Sequence, residues 1–152
     1  MAMQPKSPGG ISLVHVLGHL ERQVSRRVEE VLAAEQLTVD QWRVLDLLAD
    51  GQGHPMSWIA THIAVPGATL TKLVDRLVDT SLVYRLVDET DRRRVLVYLW
   101  ERGREVHERL RPAIENVEAD ILHPLPYAGQ ELVELLNQLA APTMPNPLTP
   151  RR

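Results

Sequence analysis

MSWIATHIAVPGATLTKLVDRLVDTSLVYRLVDETDRRRVLVYLW, residues 56–100, decides how this chain folds. It divides at the tight turn Val65-Pro66-Gly67. Before the turn, 58–64 is short and apolar, and Ser57 stands where a helix N-cap belongs. After it, Leu70, Leu73, Val74 and Leu77 recur at i, i+3, i+4 and i+7, which predicts a helix over 68–80 with one apolar face. Residues 82–87 and 95–100 are rich in β-branched and aromatic side chains and read as paired strands. Their connection, 88–94, exceeds the ~2–5 residues of a common hairpin loop, and long loops tend to carry function. Two helices about a turn, then a strand hairpin, make a winged helix-turn-helix: mainly α, with a small β hairpin as the wing.

Outward from this stretch the chain is helical. Leu13, Leu17, Leu20, Val24, Val28 and Val31 recur every three or four residues and predict an amphipathic helix of roughly 25 residues. That length exceeds the usual globular helix, so part of it is expected to pack outside its own domain. Thr38 is an N-cap with Gln41 as its capping-box partner. Trp42, Leu45 and Leu48 line one side of the next helix while Val44 and Leu47 cover another, the pattern of a core helix. His54-Pro55-Met56 fits a short edge strand. On the other flank, Glu101 opens a long helix with Val106, Leu110, Ile114, Val117 and Ile121 in phase, in which Pro112 should cause a kink or a break. A last short helix is expected over 130–140.

The chain has no cysteine, which excludes disulfides, thiolate metal sites and cysteine-based redox sensing. No apolar run approaches the ~20 residues that span a bilayer, and 1–10 lack a signal-peptide core. These features make a cytoplasmic protein the expectation. The net charge is −3, yet residues 66–104 carry eight basic against six acidic side chains. The positive segment is the one holding the turn, the second helix and the hairpin, and local field steers a polyanion more than net charge does.

Two elements in that segment suit a nucleic acid. With its leucine stripe turned inward, the helix after Pro66 presents Ala68, Lys72, Asp75, Arg76 and Asp79 outward, with Thr69 on the flank. Small side chains at its start let the helix end approach base edges. Thr69 and Thr71 can reach phosphates or thymine methyls, and the helix N-terminus at Gly67 favours a phosphate. Asp75 requires an internal partner for this to work, and Arg85 is the expected one. The second element is the loop Asp88-Glu89-Thr90-Asp91-Arg92-Arg93-Arg94, whose arginines can enter a narrow minor groove. Its three acidic residues make a charge-balanced surface loop the bland alternative.

Here the chain resembles the MarR family (multiple antibiotic resistance regulators). Leu37-Thr38-Val39-Asp40-Gln41-Trp42-Arg43-Val44-Leu45 is similar to the family's opening of its second helix. Leu73-Val74-Asp75-Arg76-Leu77 is similar to its recognition-helix run, Asp91-Arg92-Arg93-Arg94-Val95-Leu96-Val97 to its wing signature, and Glu101-Arg102-Gly103 to the start of the following long helix. The resemblance covers roughly residues 11–140. It implies a homodimer whose first and last helices interlock and whose winged domains bind a pseudo-palindromic double-stranded DNA operator. It also implies base contacts from Ala68, Thr69 and Lys72, minor-groove contact from Arg93, and an Asp91 that orders the wing by pairing with an arginine. The chain then divides into a mobile N-terminus (1–10), a dimerisation helix (11–35), the winged helix-turn-helix (36–100), C-terminal dimerisation helices (101–141) and a disordered tail (142–152). Ser81 departs from the pattern, standing where a glycine is often seen, which should strain that turn.

Family members often take small aromatic or phenolic molecules in a cleft between dimerisation helices and winged domain. Trp42 lies where such a cleft would form, with His15 and His19 as polar candidates. His15 and His19, at i and i+4, are also a possible metal pair, but nothing is spaced to complete a site, so no metal and no cofactor are assigned. No residue has a catalytic context. The reading is a homodimeric DNA-binding regulator, a repressor released by a small ligand. Its rivals are a winged protein-interaction module without DNA binding, and a metal-responsive regulator using His15 and His19.

Overall fold

The structure, a computed structural model, describes residues 12–140. The expected mobile N-terminus and disordered tail fall outside the described residues. Six helices and three strands follow one another as α1 (Leu13–Leu32), α2 (Val39–Leu47), β1 (His54–Pro55), α3 (Met56–His62), α4 (Gly67–Asp79), β2 (Val83–Val87), β3 (Val95–Leu99), α5 (Glu101–Leu122) and α6 (Gly129–Ala140), with short 3-10 turns after α1 and α2. The strands form one antiparallel sheet in the order β1-β3-β2, so the fold is helical with a small winged sheet.

Local chemistry accounts for most boundaries. Thr38 Oγ1 accepts from the Gln41 N–H at 3.2 Å, and Gln41 Oε1 accepts from the Thr38 N–H at 2.9 Å, a reciprocal cap that starts α2. The ends of α1, α3 and α4 share a left-handed residue: Gln36 (φ 54°), Ala64 (φ 57°) and Ser81 (φ 59°). At the end of α4, the Ser81 N–H reaches the Val78 carbonyl and the Leu82 N–H the Leu77 carbonyl, both at 2.9 Å, while Leu77 and Leu82 are buried together. This Schellman arrangement satisfies the last carbonyls at the cost of holding a serine where glycine is favoured. Ser81→Gly should therefore raise stability by about 0.5–1 kcal/mol, the relief of αL strain less the extra freedom of the unfolded chain. An unchanged urea midpoint would show that the turn is not strained.

One expectation needs correction and one is narrowed. Ser57 does not cap α3. Pairing of His54 with Val97 and Pro55 with Leu96 holds Pro55 extended (ψ 147°), so the helix begins at once at Met56 and draws Ser57 into its first turn. Of the two outcomes expected at Pro112, the break does not occur: α5 runs from Glu101 to Leu122 with the proline inside it.

The core gathers residues from every layer of the winged domain: Val44, Leu45 and Leu48 from α2 and the turn after it, Ile59 from α3, Leu70, Val74 and Leu77 from α4, and Val83 and Val97 from the sheet. Val28 and Leu32 of α1 meet Val106, Leu110 and Ile114 of α5 on the same core. Gly103 lets the start of α5 lie against the chain leaving α4, because a Cβ there would sit 2.0 Å from the Leu82 carbonyl oxygen. The first half of α1 contributes nothing to this core. Leu13, Val14, Leu17 and Leu20 are exposed, as are Leu135, Leu136 and Leu139 of α6.

Candidate nucleic-acid interface

The turn between α3 and α4 sets the recognition surface. Ala64 closes α3 in the left-handed conformation, and Pro66 enters α4 extended (φ −60°, ψ 148°). Because Pro66 offers no side-chain cap, the first N–H groups of α4 have no partner of that kind, and no acidic residue stands in the first turn. Nothing lies within 4 Å of where a Cβ on Gly67 would point. The end of α4 is thus open, uncapped and positively polarised, the local condition for an anion.

Leu70, Val74 and Leu77 are buried, so the remaining face of α4 is turned out: Gly67, Ala68, Thr69, Thr71, Lys72, Asp75, Arg76 and Asp79 all lie on it. Thr71 Oγ1 donates to the Gly67 carbonyl at 3.0 Å, leaving its oxygen free only as an acceptor. Asp75 Oδ1 accepts from Arg85 Nη2 at 2.7 Å. This contact, expected from the sequence, neutralises an acidic group on the outer helix face and ties α4 to β2.

The wing carries the second surface. β2 and β3 pair from Val83 opposite Leu99 to Val87 opposite Val95, and the loop is closed by the Asp88 N–H on the Arg94 carbonyl at 2.9 Å. Two of its three acidic side chains turn inward on the loop itself. Asp88 Oδ1 accepts from the Thr90 hydroxyl at 2.7 Å and the Thr90 N–H at 2.9 Å, and these bonds, the hydroxyl first, hold its carboxyl below the usual range. Asp91 Oδ1 accepts from the Arg93 N–H at 3.0 Å. Asp91 therefore orders the wing through a backbone donor and not by the guanidinium pairing expected of it. Its short side chain reaches the N–H two residues on, as aspartates in turns do. The loop stays balanced in formal charge, but its aspartates are engaged by donors of the loop and not by its arginine side chains. Arg92, Arg93 and Arg94 are exposed, and none of them, nor Lys72 or Arg76, makes an ion pair among the described residues.

A cleft of about 420 Å³ opens elsewhere, between α2 and α5. Trp42 lines it, buried and stacked on His107. His107 Nε2 lies 2.8 Å from Asp46 Oδ1, so the two helices are joined at the cleft by one polar contact. His15 and His19 do not line it; both are exposed on the first half of α1. Sequence reasoning missed His107. Its signal was available: it falls three residues before Leu110 and seven before Ile114, a polar residue in phase with the apolar stripe of α5. Among the described residues, no three histidine, cysteine or acidic side chains gather to hold a metal ion, and no helix is long and apolar enough to cross a membrane.

Comparison with known proteins agrees with this geometry. Residues 35–94 match the MarR family. The chain is 29% identical over 111 residues to the HTH-type transcriptional regulator FarR of Neisseria gonorrhoeae, covering 73% of this chain and 74% of the relative. It is 28% identical over 124 residues to the HTH-type transcriptional regulator MgrA of Staphylococcus aureus, covering 81% of each. The crystal structure of NadR in complex with 4-hydroxyphenylacetate superposes with a TM-score of 0.77 at 25% identity, over 90% of this chain and 98% of that one. The family match spans α2, the turn, α4 and the wing loop, and the relatives similar to this chain over most of its length are transcriptional regulators, so residues 35–94 carry a winged helix-turn-helix similar to that of the MarR family.

Proposed function

We propose that the protein is a homodimeric, cytoplasmic repressor that reads a pseudo-palindromic operator and is released from it by a small aromatic ligand. The observation that carries the DNA part is the wing. Asp88 and Asp91 are held by donors within the loop while Arg92, Arg93 and Arg94 point into solvent, beside a recognition helix whose N-terminus is uncapped. Arg92–Arg94, Lys72 and Arg76 supply salt-dependent phosphate and minor-groove attraction, and Gly67, Ala68, Thr69, Thr71 and Lys72 at the head of α4 meet base edges and the nearby phosphates.

Dimerisation is supported by the exposed leucine and valine faces of α1 and α6, too apolar to be left to water in a chain of this size. Two winged domains held by such an interface would meet successive major grooves of one duplex. The effector part is supported by the cleft that joins α2, in the winged domain, to α5, and by the aromatic ligand of the NadR structure. Trp42 belongs to this cleft; His15 and His19 would reach an effector only from the other subunit of a dimer.

The test is fluorescence anisotropy of the purified chain on duplex DNA from its own upstream intergenic region and on a scrambled duplex, at two salt concentrations. Selective, salt-sensitive binding is expected. Thr69→Ala or Lys72→Ala should cost roughly 1–3 kcal/mol for each base-edge interaction removed on the operator, and much less on the scrambled duplex. Equal effects on both would remove α4's assigned role in sequence reading. Weak and equal wild-type binding, persisting through random-sequence selection, would leave a winged fold that works through protein partners.

A further inference from the structure

The effector reading leaves open what chemistry the α2–α5 cleft selects, and the inference here rests on that reading. The floor is aromatic and apolar. Trp42 and His107 are each more than nine-tenths buried, stack with centroids 4.9 Å apart and planes 10° from parallel, and lie beside Ile114. His107 is bonded through Nε2 alone, so its Nδ1 has no partner among the described residues. The walls are acidic. Asp46, Asp50, Glu115 and Glu118 face a single guanidinium, Arg111.

Three of these carboxylates are already engaged. Asp46 meets His107, Asp50 meets His54 Nε2 at 2.8 Å, and Glu115 accepts from Arg111 Nε at 2.7 Å. Arg111 keeps its Nη groups, but its single positive charge already stands beside Glu115 and faces three further carboxylates. Glu118 has no hydrogen bond or ion pair among the described residues. Partial burial, and then the charges of Asp46 and Glu115, hold its carboxyl above the usual value. The acidic side chains lining the cleft outnumber its one arginine, so the field there is negative, above a floor of buried aromatic side chains.

We propose that the cleft takes a flat aromatic cation, of the arylamidine or arylammonium class, seated against the Trp42–His107 floor with its charge toward Glu118. An aromatic carboxylate or phenolate of the same shape, such as the 4-hydroxyphenylacetate of the NadR structure, would place its charge among four carboxylates that outnumber the one arginine, and is selected against in this chain. The cleft volume falls in the range of small-ligand sites. Trp42 and Asp46 belong to α2, whereas His107 and Glu118 belong to α5. An occupant touching both therefore has differential affinity for dimer shapes in which α2 and α5 stand differently, the condition for shifting DNA binding.

Benzamidine, benzamide and benzoate share one shape and carry a positive, no and a negative charge. Each would be titrated into the full-length chain, following tryptophan fluorescence and release of a bound operator duplex. Benzamidine should bind about tenfold more tightly than benzamide, with benzoate weakest. Glu118→Gln, on an exposed helix position that should tolerate it, should erase most of benzamidine's advantage and leave benzamide unchanged. Trp42→Phe should remove the fluorescence response, separating this site from Trp58 and Trp100. Equal affinities for the three probes, tighter benzoate, or no benzamidine binding at millimolar concentration would each overturn the cation assignment. Operator release by benzoate would do so while upholding the effector reading. Benzamidine that binds at Trp42 without releasing the operator would uphold the cation preference and overturn the effector reading.

Discussion

Gly103→Ala should lower the stability of this protein by about 2 kcal/mol, a substitution that on an isolated helix would do the opposite. Alanine gains roughly 0.8–1 kcal/mol over glycine in a helix interior. In this fold the added Cβ would stand 2.0 Å from the Leu82 carbonyl oxygen and 2.8 Å from Leu99 Cδ1. The leucine side chain can turn, but the carbonyl cannot move freely. It accepts the Trp100 N–H at 2.9 Å and lies one residue past the left-handed Ser81, so it is pinned where α4 hands over to the sheet. Overpacking against a fixed group costs typically 1–3 kcal/mol, and the backbone identity of the obstacle puts this case at the upper end. Separation of α5 from β2 and β3 should appear as a lower urea midpoint with the slope unchanged. Gly67→Ala is the control, since open space lies beyond that Cβ and stability should hold or rise slightly. Both would be measured at one protein concentration because assembly shifts apparent stability. A Gly103→Ala chain as stable as wild type would mean that α5 is not seated on the winged domain as described.

What the sequence revealed of this architecture follows the range of the interactions involved. Thr38 and Gln41 lie three residues apart, so their reciprocal cap is legible from spacing alone. The apolar stripe of α4 is equally local. The Asp75–Arg85 contact spans ten residues and was legible because an acidic group on a helix face read as meeting phosphates demands a partner nearby. Ser57 misled because a β bridge to Leu96, some forty positions away, sets where α3 begins. Asp91 misled because charge suggests a guanidinium, while turn geometry offers a closer backbone N–H. Asp46 and His107 are 61 residues apart, and no spacing could pair them. Their cleft became visible only when α2 and α5 were packed, although the polar residue in the α5 stripe marked where to look.

Replacing Arg92, Arg93 and Arg94 together by alanine should weaken binding to every duplex by roughly a hundredfold for each wing engaged, taking about 1 kcal/mol net for each arginine contact with the DNA that is removed. The salt dependence carries the mechanism. Each phosphate neutralised contributes about 0.9 to the slope of log affinity against log salt, so Arg93→Ala alone should flatten it by about one unit for each wing engaged. Sequence preference should survive, because the proposed function assigns base reading to α4. Asp91→Ala separates the two ways an acidic residue can serve such a loop. If Asp91 were merely a negative charge beside three arginines, its removal would tighten binding. Its carboxylate accepts from the Arg93 N–H, and its carbonyl accepts from the Arg94 N–H at 2.9 Å, so the side chain helps hold the turn that aims the arginines. Removing that acceptor should weaken binding several-fold while leaving the salt slope nearly intact. A tighter Asp91→Ala complex would mean that the wing is a flexible cationic tether and that its folded shape contributes nothing to DNA affinity.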